Sequence, residues 1–427
     1  MGLTPTRSRL RRQLRRVATY DFSPQFSAKV RRALYNPLGI LLAAALVSLV
    51  CGFFLHAQGF VLAGGVFAVV GLGVVWPWLS LRGLSGALAF DRARAAEGEA
   101  VGVRLTLRNR LPWAAWGLAV RGGFGGDEGQ PAAAVASTPG RRTAVCRWPF
   151  VPTRRGVYPL AAPRVGTGFP FGLWENSRRL AVDALLVVWP KTFPVGPVPP
   201  VSGDRQVEGN VSRHQPGTTG DVTGVRPYRR GDSPRRIHWG QSAKHDRLVV
   251  CELHANSRPL IQLVLDAAPA VHAGAGEGSS REWAVRVVAS LAKGWLEAGA
   301  QVGVAWTGFE LTPASGAAQV HKVLDALAGL ADETGGPLGE LLACPACRGF
   351  RDGLQVVVTT DRAHGHGACA AEGQRWVVLA AGGFADVGEV APDRDHSPGA
   401  EPWLQIGSAD EVPAKLRGGW REARHGS

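Results

Sequence analysis

Hydropathy divides the chain into stretches of different period. Residues 37–81 contain no Asp, Glu, Lys or Arg. Two apolar runs, 37–55 and 60–81, are separated only by His-Ala-Gln-Gly at 56–59. At about 1.5 Å rise per residue each run covers roughly the 30 Å of a bilayer core, and so short a link predicts antiparallel neighbours. Small residues recur at a four-residue step, Ala44, Ser48 and Gly52 in one run and Gly64 and Ala68 in the other. They let two membrane helices approach closely. Trp76 and Trp78 suit an interfacial belt at the end of the second.

Past residue 88 the period becomes two. Val101, Val103, Leu105 and Leu107 recur at a period of two, and short apolar segments at 145–151, 154–160 and 184–190 are bounded by Gly, Pro or Asn. This pattern predicts a β-sandwich over 88–190. Residues 191–257 form a linker that leads into a dense polar segment. From 258 apolar strands (259–266, 301–308, 354–361, 375–381) alternate with helical patterns at 281–300, 317–330 and 411–420. Trp283, Val287, Leu291 and Trp295 share one face of the first of these helices. Strands buried on both faces and alternating with helices predict a doubly wound, Rossmann-type α/β domain over 258–427.

Charge orients this plan. The basic arm, 1–36, carries nine Lys or Arg against Asp21, so it supplies +8 of the net +14. Arg82, Arg92 and Arg94 follow the apolar runs, and the 56–59 turn has no basic residue. The positive-inside rule places both flanks in the cytoplasm, with 37–82 as a two-helix transmembrane hairpin. The length of the arm and the lack of a small-residue cleavage site favour a retained anchor over a signal peptide. Anionic lipid is the partner this charge expects. No recognition motif for a specific nucleic acid accompanies it. Six scattered cysteines exclude a disulfide framework.

The candidate chemistry gathers at 223–253. Arg226, Tyr228, Gly231, Asp232, Arg236, His238, Trp239, Ser242 and Lys244 form a polar cluster around one large aromatic. As a structural clamp, Asp232 pairs with Arg236 while Ile237 and Trp239 tuck beneath the sheet. As a functional surface, the cluster docks a partner or an anion. Asp232, His238 and Ser242 also have the residue types of a hydrolase triad, but no nucleophile elbow or oxyanion motif goes with them. Cys344 and Cys347, with His364, His366 and Cys369, have zinc-ligating types. The strand expected at 354–361 separates the two groups by more than about 20 Å, which disfavours one shared ion.

The order R-x-Y-x-x-G-D-x-x-R-x-I-x-W-x-x-S-A-K, from Arg226 to Lys244, resembles the bacterial domain of unknown function 58. The RRGVY segment at 154–158, FPFGLW at 169–174, the N-terminal hairpin and residues 312–330 fit the same pattern. The resemblance implies a von Willebrand factor A-like domain on a bacterial inner-membrane anchor. It also implies association with a MoxR-type AAA+ ATPase, often with a membrane transglutaminase-like protein, and an adaptor or assembly role without enzymatic activity or cofactor. Von Willebrand A domains hold Mg²⁺ through a D-x-S-x-S loop. Here Asp266 is followed by Ala268 and Ala270, and Asp361 matches a distal ligand, so the site reads as degenerate.

Reporter fusions after residue 86 and at the C-terminus are expected to report cytoplasm. Periplasmic alkaline phosphatase activity from the C-terminal fusion contradicts this topology.

Overall fold

The structure, a computed structural model, describes residues 36–125, 130–197, 222–229, 233–234, 237–253, 259–332, 334–348, 350, 353–364, 374–384 and 402–422. It resolves into two compact units. The first comprises Met1–Ala95, Glu99–Pro152 and Val157–Leu186; the second comprises Ala96–Gly98, Thr153–Gly156 and Val187–Ser427.

The first unit begins with helices α1 (Pro37–Phe54) and α2 (Gln58–Arg82). Both are long and apolar enough to cross a membrane, and only 6% and 11% of their most apolar windows is buried within the protein. Of the small residues expected at the helix contact, Ser48 and Gly52 lie there, whereas Ala44, Gly64 and Ala68 are exposed. A Cβ on Gly59 would lie 2.4 Å from the backbone nitrogen of Gly52, so the two backbones touch there.

Strands follow α2 without a gap. One sheet has the order β8–β1–β2–β5, with β1 at Leu84–Phe90, β2 at Val101–Asn109, β5 at Thr143–Phe150 and β8 at Ala181–Val182. The other has the order β4–β3–β6–β7, with β3 at Ala115–Arg121, β4 at Ala133–Thr138, β6 at Arg164–Thr167 and β7 at Asn176–Arg179. The alternating residues of β2 point inward as the period of two requires, and Leu105 and Leu107 meet Leu118, Val120 and Val165 of the other sheet in one core. The segment at 154–160 differs from its expectation. Only Gly156–Tyr158 is a strand, and the two arginines before it belong to the second unit.

The second unit is built on a six-stranded sheet of order β13–β12–β11–β14–β15–β16. These strands are β11 (Leu260–Leu265), β12 (Gln301–Trp306), β13 (Phe309–Ala314), β14 (Leu354–Thr360), β15 (Gln374–Leu379) and β16 (Leu404–Ile406). All neighbours pair in parallel except β13, which returns antiparallel beside β12. Helices α4 (Ser280–Glu297), α5 (Ala317–Ala328) and α6 (Val412–Glu422) complete the main layer. Alternate residues of β11 serve different cores. Leu263 and Leu265 join Val287, Leu291 and Trp295, while Val264 joins Leu338, Leu341 and Trp376. Both faces are therefore covered, which is why these strands read as unbroken apolar runs.

Helix α4 is not the one-faced helix its periodicity predicts. Arg281, Glu282 and Arg286, on its polar side, are buried with the apolar residues. Residues 191–195, read from the sequence as linker, pack here instead. Phe193 stacks on Trp283 at 5.9 Å, and its backbone N–H donates to Ser290 Oγ at 2.9 Å.

Candidate functional site

Two places in the second unit concentrate polar chemistry. The first is the signature segment, folded as a hairpin of β9 (Val222–Pro227) and β10 (Val249–Leu253) around helix α3 (Trp239–His245). Helix α3 is held locally. His238 Nδ1 accepts the backbone N–H of Gln241 at 3.2 Å as N-cap. Ser242 Oγ donates to the carbonyl of His238 at 3.0 Å and accepts the N–H of Val249 at 2.9 Å, tying helix to strand. Two of the three groups of the supposed triad, His238 and Ser242, are thus engaged in shaping this turn. Asp232, Gly231 and Arg236 lie outside the described residues, as does any pairing of Asp232 with Arg236. Trp239 does not tuck beneath a sheet: it is 68% exposed at the start of α3. Lys244 is also exposed on that helix, and Arg226 and Tyr228 are half-buried on and after β9.

The second place lies at the carboxyl end of β11, where the chain order reverses between its neighbours β12 and β14. Ligands of open α/β sheets bind in such a crevice. A cavity of about 180 Å³ opens there, lined by Arg154, His272, Ser279, Arg281, Glu282 and Asp332 among others. Ser279 caps α4, its hydroxyl accepting from the N–H of Glu282 at 3.3 Å. In a capping box the Glu three residues on turns back to the cap. Here Glu282 is diverted: its carboxylate pairs with Arg155, both side chains being 2% exposed, and with Arg154 at 3.5 Å.

The rest of the cluster closes around that pair. Arg155 donates to the carbonyls of Leu327 at 2.9 Å and Leu330 at 3.0 Å. Glu97 accepts the Arg155 N–H at 2.8 Å and pairs with Arg286 at 2.9 Å. Arg281 donates to the carbonyls of Ala267, Ala331 and Thr334 and approaches Asp332 at 3.3 Å. Burial opposes ionisation of Asp332, but the hydrogen bond and charge of Arg154 outweigh it and hold the carboxyl below its usual range.

Asp266 also has protein partners for both oxygens. Thr359 Oγ1 donates to one at 2.7 Å, and the N–H of Ala268 donates to the other at 3.2 Å. Asp361 accepts the N–H of Ala381 at 3.0 Å. A hard divalent ion needs several convergent oxygens; with Ala268 and Ala270 in the loop, this donor set does not fit one. Beside it His272 Nε2 faces the carbonyl of Asp266 at 2.9 Å, which fixes the proton on that nitrogen, while Nδ1 faces Ser280 Oγ at 3.0 Å. Burial pushes this imidazole below its ordinary value, so it stays neutral at physiological pH.

Among the described residues no three His, Cys, Asp or Glu group as a metal site. Cys347 is buried in the lesser core of the sheet, and burial, with the neighbouring Cys344, pushes its thiol up to about 12. His366 and Cys369 lie outside the described residues.

Residues 224–364 match the family described as protein of unknown function DUF58. Over that region the chain is similar to DUF58 proteins. The matched region takes in nearly all of the signature hairpin, most of the residues that line the crevice and four of the six strands of the sheet of the second unit. The RRGVY segment lies upstream of the DUF58 match, yet its two arginines belong to the crevice. No curated protein matches the chain. Two solved structures of the CARDB domain of the PF1109 protein from Pyrococcus furiosus, one of them in complex with di-metal ions, are 11% identical. Each corresponds to 23% of this chain, and to 94% and 86% of its own, with TM-scores of 0.17 and 0.16.

Nothing local in the sequence marks Glu97, Arg155, Glu282 and Arg286 as partners. Glu282 and Arg286 show only as charge on a helix whose other face is apolar. Removing one partner of a buried pair strands the other, so Glu282→Ala is expected to cost about 3–5 kcal/mol in denaturant unfolding. The double variant R155M/E282L is expected to lose less. An E282A protein as stable as the parent contradicts this role.

Proposed function

We propose that this DUF58-like protein is a non-enzymatic adaptor anchored in the bacterial inner membrane. Its hairpin spans the bilayer with both termini in the cytoplasm, and its second unit acts as a von Willebrand A-like domain for protein partners. The partner class is a MoxR-type AAA+ ATPase, with a membrane transglutaminase-like protein in the same assembly. The strand order, with an antiparallel third strand at one edge, supports the von Willebrand A-like reading. The observation that carries the docking role is Trp239, a large aromatic left 68% exposed in the middle of the DUF58 signature. Exposed Trp residues are frequent binding anchors. Metal-mediated recognition is disfavoured because Asp266 is already satisfied by Thr359 and its own loop.

The hydrolase reading through Asp232, His238 and Ser242 finds less support, because Ser242 Oγ and His238 Nδ1 hold α3 in place. Anion or nucleic-acid binding rests on a charge that sits mostly in the N-terminal arm.

The test is binding of the MoxR-type ATPase to the full chain in lipid nanodiscs. Trp239→Ala is expected to weaken it about tenfold or more while leaving the unfolding midpoint unchanged. Undiminished binding by W239A, or a hydrolytic activity abolished by S242A, contradicts the proposal.

A further inference from the structure

We propose that the FPFGLW loop of the first unit, residues 169–174, is a third membrane contact, seating Phe171 and Trp174 at the boundary between lipid headgroups and acyl chains. The proposal rests on the hairpin spanning the bilayer and adds a surface that neither apolar helix supplies.

The loop is placed by α2 itself. Gly73, Pro77, Ser80 and Leu81 are buried at the spacing of one helical face. Gly73 lacks a side chain where Leu173 arrives: a Cβ there would lie 2.8 Å from Leu173 Cδ1. Strand β7, just after the loop, is tied to the end of the same helix. Arg178 donates to the carbonyls of Leu81, Arg82 and Leu84 at 3.3, 3.1 and 2.9 Å.

Depth follows from the helix repeat. Gly73 precedes Arg82 by nine residues, about 13 Å along the axis. Helix α1 runs antiparallel from the turn at 55–57, and its 18 residues reach back to the level of about residue 75 of α2. Trp76 and Trp78 lie at that level, and Arg82 stacks on Trp78 at 4.4 Å, an aromatic and basic pairing suited to an interface. Leu173 therefore touches α2 on the bilayer side of this belt. Its neighbours Phe171 and Trp174 are 50% and 53% exposed.

The loop has a defined shape. Thr167 Oγ1 donates to the carbonyl of Trp116 at 2.7 Å and accepts the N–H of Phe169 at 3.1 Å. The N–H of Gly172 donates to the carbonyl of Gly168 at 2.7 Å, and Gly172 takes a φ of 66° that suits glycine. Phe169 stacks on Trp116 at 6.2 Å, so the aromatics are presented together. Arg178 and Arg179 are exposed just beyond them, the charge that anionic headgroups attract. An exposed aromatic cluster continuous with the membrane-facing surface of α2 selects the bilayer as its occupant over a soluble protein.

The test places an environment-sensitive fluorophore on F171C or W174C, in the full chain with its six native cysteines replaced, reconstituted in phosphatidylcholine–phosphatidylglycerol vesicles. V151C is the aqueous reference. Strand β1 leaves α2 at Leu84, opposite Asn109, and the sheet ends remotely where Val101 pairs with Phe150. The loop probes are expected to emit further to the blue than the V151C probe, to be quenched by lipids brominated near the headgroup, and to be shielded severalfold from aqueous iodide. If both are quenched by iodide as freely as V151C while alkaline carbonate leaves the chain in the vesicles, the loop proposal fails alone. If carbonate extracts the chain, the spanning hairpin and the loop contact fail together.

Discussion

The pairing of Arg155 with Glu282 is the constraint on which the second unit depends. Two fully desolvated charges are costly unless each finds its opposite and its remaining hydrogen-bonding groups are satisfied. Here both conditions hold: Arg155 also reaches the carbonyls of Leu327 and Leu330, at and just after the end of α5, and Glu282 also faces Arg154. Glu97 adds a second bridge, accepting from the Arg155 backbone and pairing with Arg286 one turn further along α4. Helix α4 is thereby fixed in register against segments that are distant in the chain. Its apolar side separately fills the core with Val287, Leu291 and Trp295.

This explains why the crevice at the switch point of the sheet holds charge without a matching ligand set. The helix start that in other α/β sheets receives an anion has its Glu turned to an internal arginine. Asp266, which begins the loop, is absorbed by Thr359 and Ala268. The polar groups of this end of the domain are spent on the fold, and the unspent surface is elsewhere: Trp239 on the signature helix and the aromatics of the FPFGLW loop.

What the sequence revealed follows from period and range. The hairpin helices were legible because 45 consecutive residues lack charge, and β2 because Val101 to Leu107 alternate. The parallel strands were legible because burial on both faces leaves few polar positions, Gln262 and Gln355 among them. Strands β13 and β16 were not foreseen: β13 alternates half-buried and exposed residues and contains Pro313, and β16 has three residues. The hairpin around α3 was hidden by the density of charge in the signature. The buried cluster was least legible of all, since Glu97 and Arg286 are 189 positions apart and nothing local marks either as a partner. Trp239 was misread because a large aromatic amid polar residues ordinarily turns inward, whereas here it heads a seven-residue helix whose inward group is Ser242.

The most direct test of the claim that the charge cluster clamps α4 is hydrogen–deuterium exchange on the full chain in lipid nanodiscs. Amides over the first half of α4 should exchange as slowly as those of the central strand β11, because opening the helix start must break the Arg155–Glu282 and Glu97–Arg286 pairs together. Fast exchange across that half of α4, with β11 still protected, would contradict the account.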